Sequence, residues 1–187
     1  MTYATGVLVE RLAGLTPTVA LVLGSGLGGL VDEIEDAVQI PYGDIPGFPK
    51  GGVSGHAGKV VAGLFNGTPV LMLAGRAHYY EHGNPAAMRP VLEVLQGIGI
   101  TALMLTNAAG SLDEQMPPGS VMLIEDHINF SGTNPLIGEA TDRRFVGLSQ
   151  AYDPKMRAAI ERAAEATGTP LSKGVYMWFS GPSFETP

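Results

Sequence analysis

Six short apolar runs, each ending in or followed by a turn-forming residue, constrain this chain more than any other feature. They are TVALVLG (18–24), KVVAGLF (59–65), PVLMLAG (69–75), TALMLTN (101–107), SVMLIED (120–126) and GVYMWFS (174–180). Runs of that length, rich in Val, Leu and Ile, read as strands, because helices need ten or more residues at 3.6-residue spacing. Several are apolar on both faces, as expected when helices cover both sides of a sheet. Asn66-Gly67 separates the second and third runs, and both residues tolerate the positive φ of a tight hairpin. Helix signals lie between other runs. Asn84-Pro85 reads as N-cap and first-turn proline before Met88, Val91, Leu92 and Leu95, with Gly97 and Gly99 closing the segment. Asp153-Pro154 repeats the device before Met156, Ile160 and Ala163, and Gly168 ends it. The alternation predicts an α/β fold with a mostly parallel or mixed sheet and one hairpin. The segments 41–58 and 127–152 read as long loops rich in Gly, Pro and Asn, which are usually functional or mobile.

A chain of 187 residues is expected to form one domain, spanning 1–187, with room for a sizeable core. Its net charge of -7 argues against a nucleic-acid surface, and the longest cationic cluster is only Arg143-Arg144. An anionic ligand must therefore be held locally, by a few cations and backbone N–H groups. The absence of cysteine excludes disulfides, thiol catalysis and thiolate metal sites. No apolar run reaches 18 residues, and Glu10-Arg11 interrupts the N-terminal stretch, so neither a membrane span nor a secretion signal is expected. A soluble, cytoplasmic protein is the expectation.

The stretch VALVLGSGLGGLVDEI (19–34) reads as strand, glycine turn and helix, and matches G-x-G-x-x-G. A dinucleotide site would also need a second strand ending in an acid about 20 residues on. Asp44 lies at that distance but within IPYGDIPGFP, whose prolines and glycines exclude a central strand. Two readings stay open: an anion held by freed N–H groups, a helix N-terminus and the Ser25 hydroxyl, or a bare close-packed turn. GRAHYYEHG (75–83) contains H-x-x-E-H, an inverted zinc-protease pattern, but Gly83-Asn84-Pro85 leaves too little helix to put both histidines on one face. Arg76 and His78, two apart in extended chain, point the same way and suit an anion clamp, with a solvated charged loop as the alternative. His56 sits in a glycine-rich loop, GGVSGHAGKV, where a surface residue is the plainer reading. Asn107-Ala108-Ala109-Gly110 ends a strand with so little bulk that a ligand can reach the backbone, unless the stretch is only tightly packed. Phe184-Glu185, after Gly181-Pro182, offers a ring to stack on a flat heterocycle and a carboxylate to accept its N–H groups. A 6-oxopurine presents those donors, whereas adenine presents an acceptor at N1.

In this order, LGSGLG, GHAG, GRAHYYE, TNAAG, DHIN, NPL and GPSFET resemble the trimeric-type purine nucleoside phosphorylases over nearly the whole chain. The resemblance implies a three-layer α/β fold with a mostly parallel or mixed central sheet flanked by helices. It implies phosphorolysis of purine (deoxy)ribonucleosides such as inosine and guanosine, with no cofactor beyond inorganic phosphate as co-substrate. Ser25, Arg76, His78 and the backbone at Ala108 match the family's phosphate site, with His56 as the mobile-loop histidine beside it. Tyr80 matches the ribose-contacting tyrosine, and Glu185 and Phe184 the purine-binding acid and its stacking partner. Phe145 corresponds to a phenylalanine inserted into the neighbouring subunit's ribose pocket, which implies a homotrimer. His127 fits a segment read as structural. Family chains continue past GPSFET with further phosphate- and purine-contacting residues, so this chain is expected to lack a C-terminal portion. The competing readings are a methylthioadenosine phosphorylase, which Glu185 disfavours, and a nucleoside- or phosphate-binding fragment without turnover. A nucleoside hydrolase would need a calcium-binding aspartate cluster, and no Asp-rich motif is present.

Overall fold

In the computed structural model, which describes residues 2–49 and 58–184, the Asn66-Gly67 hairpin forms as the sequence predicts. Both residues have positive φ (48° and 74°), and they join the antiparallel strands Lys59–Phe65 and Thr68–Ala74 of a five-stranded sheet. The chain divides into two compact units, Met1–Ala108 and Ala109–Pro187.

The first unit runs α1 (Tyr3–Arg11), β1 (Val19–Val22), β2 (Glu35–Pro41), β3 (Lys59–Phe65), β4 (Thr68–Ala74), α2 (Tyr79–His82), α3 (Arg89–Gly97) and β5 (Ala102–Leu105). Its strands lie in the order β2-β3-β4-β1-β5. β4, β1 and β5 are mutually parallel neighbours, while β3 is antiparallel to both β4 and β2. The sheet is mixed, and alternation of side chains gives it two buried faces. Ala20, Val22, Val60, Ala62, Leu71 and Leu73 pack in one cluster with Leu8 of α1 and Val91, Val94 and Leu95 of α3. Val61, Val70, Met72 and Ala74 pack on the other side with Leu23, Val31 and Ile34.

Three local readings need correcting. The segment after the glycine turn is a 3-10 helix, Gly28–Glu33, rather than an α-helix. With two glycines at its start and a strand beginning at Glu35, it is too short and too flexible to propagate. Asn84 caps a turn, its Oδ1 accepting from Ala86 N at 2.9 Å, and the helix itself begins five residues later, at Arg89 with Pro90 in its first turn. β2, within a stretch without an apolar run, pairs with β3 at the sheet edge, where only Ile40 is fully buried.

In the second unit β6 (Val121–Asn129) and β7 (Leu171–Trp178) pair in parallel, with a bulge between Ile124 and Asp126. α4 (Pro154–Thr167) lies between them in sequence and follows its signals closely. Asp153 Oδ1 accepts from Lys155 N and Met156 N, both at 2.8 Å, and Gly168 ends the helix at φ 66°. Such an N-cap contributes about 1 kcal/mol.

Candidate functional site

Because β4, β1 and β5 are parallel neighbours, their carboxyl ends share one edge of the sheet. In open α/β sheets that edge is where ligands bind. Three of the sequence-predicted segments leave it side by side: Gly24-Ser25-Gly26 after β1, Gly75-Arg76-Ala77-His78 after β4, and Asn107-Ala108 after β5.

Thr106 ties the three together. Its N–H and hydroxyl both donate to the Val22 carbonyl, at 3.1 and 3.0 Å. The same hydroxyl oxygen accepts from Gly24 N at 2.8 Å. Its carbonyl accepts from Arg76 Nη1 at 2.5 Å. Since β1 lies between β4 and β5, this bond carries the Arg76 side chain across the end of β1, beside the glycine turn. A guanidinium has five donors in a fixed fork, enough to hold a backbone carbonyl and an anion at once. The glycine turn itself is close-packed. A Cβ on Gly24 would sit 2.6 Å from the Thr106 carbonyl oxygen and 2.9 Å from Asn107 Cα. Leu27 N donates to Gly24 O at 3.2 Å, closing a turn with Ser25 exposed and Gly26 at φ 87°. The close-packed reading of this turn holds, since it packs against Thr106 and Asn107 just past β5, while Ser25 remains exposed beside it.

His78 takes a role that its neighbours dictate. It is the N-cap of the one-turn helix α2, and Glu81 Oε1 accepts from His78 N at 2.6 Å and lies 3.0 Å from His78 Nδ1. This reciprocal cap uses the His and Glu of the H-x-x-E-H pattern on each other, and both side chains are only 17% exposed. Burial works against ionisation of Glu81, but the His78 backbone N–H, the His78 side chain and the His82 charge hold its carboxyl below the ordinary glutamate range. The His78 ring is stacked on Tyr80 at 4.9 Å with 13° between planes, and Tyr80 is 44% exposed. Between Arg76 and His78, Ala77 N donates to Met88 Sδ at 3.4 Å. Asn107 Nδ2 donates to the Ala108 carbonyl at 3.1 Å, and Ala108 is exposed.

Tyr42 anchors the neighbouring loop. Its buried hydroxyl, pushed up in pKa by desolvation, donates to Gly75 O at 2.7 Å, and its N–H donates to Gly58 O at 2.8 Å. Gly58 N in turn donates to Ala74 O at 2.9 Å, so β3 enters the sheet beside the end of β4. His56 and Glu185 lie outside the described residues. The topology overturns the dinucleotide alternative: the strand after the glycine turn, β2, lies three positions from β1, and Asp44 faces Arg11 at 3.6 Å.

In the second unit Phe145 follows a short 3-10 helix, Asp142–Arg144, and is 76% exposed, with the Arg144 guanidinium 5.0 Å over its ring. Phe184 is 93% exposed. Thr106 and Tyr42 carry no motif signal, and Glu81 stands out only as the acid of the H-x-x-E-H pattern, not as the partner of a cap. Only the position of Thr106 at a strand end hints at its role, since its partners Gly24 and Arg76 lie 82 and 30 residues away.

The edge cluster gathers a guanidinium, a hydroxyl and exposed backbone at the ligand edge of an α/β sheet, and comparison with known proteins specifies the class. Residues 18–187 match the phosphorylase superfamily, and the chain belongs to that family. It is 45% identical over 175 residues to purine nucleoside phosphorylase 1 of Bacillus subtilis, covering 92% of this chain and 65% of the relative. It is 43% identical over 180 residues to purine nucleoside phosphorylase of Bos taurus, covering 91% and 62%. The chain thus spans under two thirds of the length of these relatives. Among solved structures, isoform 2 of the Schistosoma mansoni purine nucleoside phosphorylase, in complex with cytosine and ribose-1-phosphate, superposes with a TM-score of 0.88 at 34% identity, covering 98% of this chain and 67% of that one. A schistosoma purine nucleoside phosphorylase in complex with hypoxanthine gives 0.87 at 32% identity, with the same coverage.

Proposed function

We propose that the protein catalyses phosphorolysis of purine nucleosides such as inosine and guanosine, releasing the free base and (deoxy)ribose 1-phosphate. The observation that carries this reading is that the segments bearing Ser25, Arg76, His78 and Ala108 leave the carboxyl ends of three adjacent parallel strands, in a family whose relatives carry that name. Arg76, held across the end of β1 by Thr106, supplies the charge that positions phosphate, and Ser25 and the backbone supply neutral donors. His56, in the glycine-rich stretch GGVSGHAGKV, is assigned to the same anion by resemblance.

In the reaction a phosphate oxygen forms a bond to C1′ as the bond from C1′ to purine N9 breaks, and its electron pair leaves with the base. The ribosyl group acquires oxocarbenium character on the way. A phosphate fixed beside it supplies the nucleophile and a negative charge facing the developing cation, so positioning and electrostatics carry the rate. Tyr80 packs against the ribose, Phe184 stacks on the purine, and Glu185 accepts from its N–H groups, which favours 6-oxopurines. Phe145 closes the ribose pocket of a neighbouring copy in a homotrimer. Inorganic phosphate is the co-substrate, and the role needs no further cofactor. A cytoplasmic location fits this chemistry, and no helix among the described residues is long and apolar enough to cross a membrane.

The test is to incubate protein of verified intact mass with inosine, with and without phosphate. Equal amounts of hypoxanthine and ribose 1-phosphate, formed only with phosphate, are expected. Release that ignores phosphate would make the protein a hydrolase; no release would leave it a binding protein.

A further inference from the structure

The excursion 130–152, which carries Phe145, leaves β6 and returns to α4, and two residues of β6 reach out to its ends. Asn129 Nδ2 donates to the Thr133 carbonyl at 2.6 Å, near its start. His127 Nδ1 lies 3.0 Å from the Tyr152 hydroxyl at its end, with the two rings edge-on at 5.8 Å. Beyond the bulge at Glu125 the strand alternates regularly, so His127 and Asn129 project from one face, opposite Tyr176 and Trp178 of β7. Arg157 of α4 reinforces the returning end: its Nε donates to the Tyr152 carbonyl at 3.2 Å, while its Nη1 holds Glu125 at 3.0 Å. Between the ends the turns close locally. Leu136 N donates to Asn134 Oδ1 at 2.8 Å, and Arg144 Nη1 donates to the Glu139 carbonyl at 2.9 Å. Within it the side chains of Ile137, Phe145, Val146 and Leu148 are all exposed.

We infer that His127 and Asn129 are positioning residues: they clip both ends of this excursion to one face of β6 and thereby set the reach of Phe145. The physical reason is loop entropy. A long excursion tethered only by its backbone ends samples many positions, and each side-chain clip shortens the span free to move. A phenylalanine that must enter a pocket it does not itself line needs that restriction, because every alternative loop position subtracts from the competent fraction. The inference rests on the proposed role of Phe145 at a nucleoside site.

The experiment compares the full chain with Tyr152→Phe, which deletes only the hydroxyl, and with Asn129→Ala at the opposite end. Amide hydrogen exchange over 130–152 is read without substrate, and steady-state kinetics with inosine and phosphate are read in parallel. Losing one clip is expected to speed exchange at the corresponding end of the excursion by about five- to tenfold, the equilibrium factor of one ordinary hydrogen bond. Exchange in β6 and β7 should stay unchanged. The KM for inosine should rise by a similar factor, with kcat and the KM for phosphate unmoved. Unchanged exchange in both variants overturns the clip. Faster exchange with an unaltered KM for inosine overturns the positioning role. A parent chain that shows the exchange pattern but no phosphorolysis would instead refute the proposed activity, since the exchange result does not depend on it.

Discussion

Replacing Gly24 by alanine isolates the packing on which the edge cluster depends. The added Cβ would lie 2.6 Å from the Thr106 carbonyl oxygen, 2.9 Å from Asn107 Cα and 3.0 Å from the Thr106 carbonyl carbon. All three are backbone atoms and none can swing aside, so β1 and β5 must separate at their ends. Overpacking of this kind costs about 1–3 kcal/mol. The separation also strains the 2.8 Å bond from Gly24 N to Thr106 Oγ1, worth about another 1 kcal/mol. The sum, roughly 2–4 kcal/mol, corresponds to a fall in melting temperature on the order of 10 °C for a chain of this size. Gly28→Ala is the internal control, because a Cβ there meets nothing within 4 Å, and its cost should stay within about 0.5 kcal/mol. Thermal unfolding of both variants, followed by circular dichroism, reads the difference. Since Arg76 is bonded to the carbonyl that must move, Gly24→Ala should also weaken phosphate use. Two variants melting within a degree of each other would refute the packing argument.

Arg76→Ala should raise the KM for phosphate at least tenfold while changing the KM for inosine little, and an unaltered phosphate dependence would remove it from the anion site. Glu185→Ala should cut turnover of inosine by orders of magnitude without lowering the melting temperature, and unchanged inosine kinetics would take Glu185 out of the base site. Glu81 is held below its unfolded pKa, so its contribution is present above roughly pH 4.3 and is lost as the pH falls through the folded value. Glu81→Gln should therefore melt below the parent at pH 7, with the gap closing on acidification; a gap that stays constant down to pH 3 would contradict this linkage.

Local rules account well for elements whose signals are complete within a few residues. The Asn66-Gly67 hairpin and the helix Pro154–Thr167, closed by Gly168, formed as read, because turn chemistry and caps act over short separations. β2 escaped because an edge strand buries little. Glu35, Asp36 and Ala37 are exposed, and the register shifts between Glu35 and Val38, so no alternation survives. Asn84-Pro85 misplaced a helix start, since the same residues that cap a helix also make turns. At the site, the order of the motifs was legible, but the bond that organises them was not. Thr106 meets Gly24 and Arg76 only once three strands are parallel and adjacent, and no pattern within one segment encodes that. Glu81 was hidden for a different reason: histidine is a poor N-cap by propensity, so the His78–Glu81 cap resembled a metal pattern instead.

On the proposed reading, the shared edge of β4, β1 and β5 holds phosphate through Arg76. Titrating inorganic phosphate into the protein by calorimetry, without nucleoside, tests it most directly. Saturable one-site binding is expected in the parent chain, and its loss in Arg76→Ala. Equal binding by the two proteins, or none by the parent, would contradict it.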